Sequence, residues 1–126
     1  MKKDDQTTVQ ELKILVAKFR DERGWKTEHS PKNLAMSIAI EAAELMEHFQ
    51  WTTYRKDDKQ AVADELADVI SYCLNLADAM DIDVSTAFRS KLERAAKKYP
   101  VELFNPERAG NDEYHKIKKA YRQGKK

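Results

Sequence analysis

Leu34-Ala-Met-Ser-Ile-Ala-Ile-Glu41-Ala-Ala-Glu44-Leu-Met46 reads as the inside of a helical protein, except that two carboxylates interrupt it. One helix later, Ala61-Val-Ala-Asp-Glu65-Leu-Ala-Asp68-Val-Ile70 repeats the interruption. Residues i and i+3 share a helix face with Cβ atoms about 5–6 Å apart. Carboxylates held there among apolar side chains face a desolvation cost unless something positive sits between them. A divalent cation is the natural counter-charge.

Around these pairs run two polar stripes. Ser37, Glu41, Glu44 and His48 fall at i, i+4, i+7 and i+11, and Glu65, Asp68, Tyr72 and Asn75 at i, i+3, i+7 and i+10. Packed antiparallel, the two helices turn these stripes toward each other and bring four acids into the bundle. Spacing alone proves nothing, because 22 acids among 126 residues give about as many acid-x-x-acid pairs by chance as the chain has. The environment carries the argument. Glu41 and Glu44 have no Lys or Arg within four residues on their helix, so a solvent face laced with i, i+4 ion pairs suits them poorly.

The rest of the chain extends the helical reading. Thr8-Val-Gln-Glu11 matches a capping box, followed by Val9, Leu12, Val16 and Phe19 at helical spacing and by Gly24 as the terminator. Ser30-Pro31 is an N-cap with proline at the first helical position. Asp57 is a candidate cap for the third helix, whose apolar stripe is Leu66, Val69, Cys73 and Leu76/Ala77. Pro100 stops the fourth. The spacing predicts an all-α four-helix bundle with helices at about 8–23, 31–50, 58–80 and 84–98, in a single domain 1–104 followed by a basic tail 105–126, partly disordered. That tail holds 7 Lys/Arg against 3 Asp/Glu, but nothing else in it argues for nucleic acid as a partner.

Composition narrows the setting. Three Gly and three Pro suit long helices better than a turn-rich β fold, and 41% hydrophobic with 36% charged residues is a globular balance. A lone cysteine, Cys73, forms no internal disulfide and favours a reducing compartment. No apolar run reaches the roughly 18 residues of a membrane span, and no signal-peptide core opens the chain, so a cytoplasmic location is expected.

An all-oxygen site suits Mg²⁺, Mn²⁺ or Ca²⁺, and the Glu-x-x-His pattern of di-iron bundles is missing at both His29 and His48. Mg²⁺ prefers to share its shell with a substrate phosphate, which points to phosphoryl or pyrophosphoryl chemistry. Lys91, Arg94, Lys97 and Lys98 are candidate cations for the remaining phosphate oxygens; any of them except Lys91 suits equally a solvated basic helix end. Trp25 and Trp51, with His29 near the first, offer flat surfaces for a base or simply cover a bundle end.

Taken together, residues 8–101 resemble the MazG-like all-α nucleoside triphosphate pyrophosphohydrolases, in particular their short dCTP pyrophosphatase-like branch. The resemblance rests on Trp25-Lys-Thr-Glu-His29-Ser-Pro-Lys-Asn33-Leu, Glu41-Ala-Ala-Glu44, Phe49-Gln50-Trp51, Glu65-Leu-Ala-Asp68-Val, and Lys91 leading to Lys98-Tyr99-Pro100-Val101. It implies Mg²⁺-dependent hydrolysis of a nucleoside triphosphate such as dCTP to the monophosphate and pyrophosphate, with Mn²⁺ a substitute. By that resemblance Glu41, Glu44, Glu65 and Asp68 are the metal ligands, and Glu44, Glu41 and Lys91 the catalytic groups. Trp25, His29, Asn33, Trp51, Tyr72, Lys91 and Arg94 are then the substrate-binding set, and self-association as a dimer or dimer of dimers is expected. Similar sequences often carry Asn four residues after the lysine; here that position is Ala95. The competing expectation is a non-catalytic helical module whose acids bind a structural cation or a basic partner.

Overall fold

Thr8 opens the first helix as its capping box requires: Glu11 N–H donates to Thr8 Oγ1 at 3.1 Å, and Thr8 N–H donates to Glu11 Oε2 at 3.0 Å. The computed structural model describes residues 1–51, 58–104 and 112–124. Among these, α1 spans Val9–Glu22, α2 Pro31–Glu47, α3 Lys59–Ala79, α4 Val84–Lys98 and α5 Asp112–Arg122, with short 3₁₀ turns at Asp4–Gln6, Trp25–Glu28 and Val101–Leu103. No strand occurs among the described residues. The all-α class holds, with a fifth helix beyond the four expected. The cap expected at Asp57 lies outside the described residues.

Local chemistry sets the ends. Gly24 takes φ 66° just past α1, the left-handed turn that a side chain resists. Ser30 Oγ accepts from Asn33 N–H at 3.2 Å, and Pro31 stands first in α2. That helix stops three residues before the expected 50. His48, Phe49 and Gln50 bond back to Leu45, Met46 and Glu47, so the last turn tightens from i→i+4 to i→i+3 spacing. At the end of α3, Ile82 N–H donates to Ala77 O at 2.8 Å and Asp81 N–H to Asp78 O at 3.3 Å, the paired bonds of a Schellman cap. Asp81 carries it at φ 53°. Lys13 Nζ then ties α1 to this turn by donating to Ile82 O at 2.8 Å.

The chain divides into two compact units, Met1–Val84 and Ser85–Lys126. In the first, α3 packs against both α2 and α1. Among the described residues its buried apolar side chains are Leu34 on α2 and Leu74 and Ala77 on α3. Cys73, expected in the apolar stripe, is exposed, and Leu74 beside it is buried instead. The second unit is held by aromatic contacts. Tyr99 stacks on Tyr114 with ring centroids 5.2 Å apart and meets the edge of Phe104 at 6.2 Å, while Lys98 Nζ lies 4.3 Å from the Tyr121 ring centre.

Candidate active site

The acid pairs of α2 and α3 meet. Glu41, Glu44 and Glu65, all partly buried, each place a carboxylate oxygen within 4.8 Å of the others. Glu41 Oε2 and Glu65 Oε2 are buried with no hydrogen-bond donor among the described residues. Burial pushes the Glu41 carboxyl up to about 7, with a hydrogen bond to Glu44 and the charges of Glu44, Asp68 and Glu65 adding to it. Like charges that close cannot all ionise without a cation between them, and a buried oxygen without a donor is costly. An oxygen-lined cluster with two such atoms fits a divalent metal. His48 Nε2, 3.8 Å from Glu65 Oε1, is the nitrogen beside it. Asp68 stands at the margin: it is exposed, yet its charge acts on Glu41.

A cleft of about 700 Å³ opens between α1, the Trp25–Glu28 turn and α3. Asp68 and Tyr72 reach it from α3, Leu12, Leu15 and Phe19 from α1, and Trp25 and His29 from the turn and the residue after it. Phe19 and Trp25 meet edge to face at 5.7 Å, and the rings of His29 and Tyr72 lie 6.3 Å apart. His29 Nδ1 is buried without a partner among the described residues. The apolar face of α1 that carries Leu12, Val16 and Phe19 is thus the wall of a cleft, with Leu15 63% and Phe19 49% exposed. Flat rings, an apolar wall and one unpaired imidazole nitrogen suit a planar, partly polar ligand.

Other expected site residues stand elsewhere. Trp51, 86% exposed, is not among the cleft-lining residues. Asn33 spends its side-chain amide on Glu28 O at 3.1 Å, tying the turn to the start of α2. Lys91 and Arg94 lie exposed on α4, in the second unit, where Arg94 donates to Ser90 Oγ. One charged cleft residue has no counterpart in the sequence reading: Arg20, 5% exposed, with Nε 2.8 Å from Asp21 Oδ1 and Nη1 3.0 Å from Asp78 Oδ2. Its signal was its place four residues after Val16, on the apolar side of α1.

Residues 36–122 match the MazG-like family, and the chain belongs to that family. Among curated proteins it is similar to dCTP pyrophosphatase 1 of Rattus norvegicus and of Homo sapiens, each 33% identical over 76% of this chain, and to that of Bos taurus at 31%. The alignment with the rat and human proteins spans 61% of their own length. Among solved structures, a pyrophosphatase from Archaeoglobus fulgidus is 44% identical, with a TM-score of 0.66 over 72% of this chain and 91% of that one.

Proposed function

We propose that this chain is a nucleoside triphosphate pyrophosphohydrolase, dependent on Mg²⁺ with Mn²⁺ as a substitute. It acts in the cytoplasm on a dCTP-like substrate to give the monophosphate and pyrophosphate. The observation that carries the reading is the pair of buried, donor-less oxygens on Glu41 and Glu65 within an acidic triad. Asp68 joins that triad to an aromatic cleft, because its charge acts on Glu41 and its side chain lines the cleft. The names of the relatives support the substrate class.

Glu41, Glu44, Glu65 and Asp68 would hold the cation. When bound, it supplies positive charge against the phosphate oxygens and Lewis acidity at the reacting centre. Glu44 accepts the proton of the attacking water at a carboxylate oxygen as the bond between the α and β phosphates breaks. The Tyr72 hydroxyl donates to a phosphate oxygen, and Lys91 and Arg94 supply the cations that a polyphosphate needs. Trp25 and His29 offer flat faces to the base, and Asn33 holds the turn that bears Trp25 by bonding Glu28 O.

Apolar pairs one helical turn apart, Met36 and Ile40 on α2 and Leu66 and Ile70 on α3, remain exposed. A second copy of the chain is their proposed cover, giving a dimer or dimer of dimers.

Purified protein incubated with each deoxynucleoside triphosphate and Mg²⁺, with pyrophosphate followed, tests the activity. Release is expected, fastest with a pyrimidine substrate. A fully helical protein that releases pyrophosphate from none of them would instead be a metal-binding or interaction module.

A further inference from the structure

Arg20 is a buried guanidinium in the wall of a largely apolar cleft, and hydrolysis as described has no use for it. Its Nη1 lies 3.4 Å from Asn75 Oδ1, across 55 residues of sequence. Asn75 is itself only 4% exposed and lines the same cleft. Arginine donates and never accepts, so the carboxamide must turn its oxygen toward Arg20. The amide is therefore held one way round, its oxygen on Arg20 and its NH₂ on the other side of the carboxamide. Asp78 and Asp21 hold the guanidinium in turn, at 3.0 and 2.8 Å.

Asn75 also has a defined place along α3. It lies ten residues beyond Glu65, about 15 Å along the helix axis, with Tyr72 between them. A nucleotide anchored by its phosphates at the carboxylates and laid along the cleft that Asp68, Tyr72 and Asn75 line would bring its base to the Asn75 end. We propose that Asn75, locked by Arg20, reads the base, its NH₂ donating to the N3 acceptor of a cytosine ring. Uracil and thymine present an N–H in place of N3, so the fixed NH₂ meets a donor there and one buried group goes unpaired. Asn75 is the specificity-determining contact, and Arg20 is a positioning residue that prevents the amide from flipping.

This inference rests on the pyrophosphohydrolase reading, and the experiment separates the two. Asn75→Asp keeps the volume and the Arg20 partner but replaces the NH₂ with an acceptor. The ratio of kcat/KM for dCTP over dUTP is expected to fall by about tenfold or more, with the loss for dCTP falling on KM. Arg20→Lys keeps the charge and frees the amide to turn, so the same ratio should fall with Asn75 intact. A purely structural ion pair would change stability without moving that ratio. Trp25 fluorescence titrated with dCMP and with dUMP gives a reading independent of turnover, and wild-type protein should bind dCMP more tightly. Should Asn75→Asp fail to fold, Asn75→Ser carries the same expectation. Wild-type turnover with an unaltered base preference in these variants overturns the inference alone. No turnover of any triphosphate by the wild type overturns the activity and this inference with it.

Discussion

A carboxyl group that keeps its proton until about pH 7 makes the metal-free fold sensitive to pH. Glu41 rises from an ordinary 4.5 to about 7, so between those values the folded chain holds a proton that the unfolded chain has released. Stability from this group is fully present at the acid end of the window and is lost as pH climbs through it. A cation competes with the same proton, so metal binding should tighten across the window and level off above it. Thermal melts without metal should therefore fall between about pH 5 and pH 8, and melts with Mg²⁺ should diverge upward from them. Glu41→Gln should flatten the metal-free profile and weaken Mg²⁺ binding by about tenfold or more in calorimetry. A sloping profile retained in the variant would place the titration on another group.

At the scale of the element, Asp81 is the residue under tension. It holds the Schellman cap of α3 at φ 53°, where a side chain crowds the backbone and glycine does not. Asp81→Gly is expected to stabilise the protein by about 0.5–1 kcal/mol in urea denaturation; a loss of stability would mean that the carboxylate contributes more than the turn costs. Helix starts were legible because they are written locally, in Thr8 with Glu11 and in Ser30-Pro31. The acid pairs were legible for the same reason, since two carboxylates in an apolar helix announce their own desolvation problem. What a single segment does not carry was harder to read. The end of α2 depends on a turn tightening after His48, and α5 shows only in Tyr114, Ile117 and Tyr121, which the surrounding basic charge obscures. Arg20 looks like one more surface charge until Asn75 and Asp78 arrive from α3.

The molecule as a whole leaves much apolar surface uncovered for its size. Leu34 is 1% exposed, but Ile40 and Met46 on the same helix are 56% and 58% exposed. In sedimentation the 14.6 kDa chain should run as a dimer or larger, with a melting temperature that rises with protein concentration. Ile40→Lys should shift it toward the single chain, and a wild-type protein that stays monomeric at high concentration would rule out this cover for the face. The division at Val84 has an optical consequence as well. Both indoles, Trp25 and Trp51, belong to the first unit, whereas Tyr99, Tyr114 and Tyr121 belong to the second. Indole emission therefore follows the melting of the first unit alone. The share of the near-ultraviolet dichroism that the Tyr99–Tyr114 stack contributes follows the second unit, so one sample shows whether the two units melt at the same temperature.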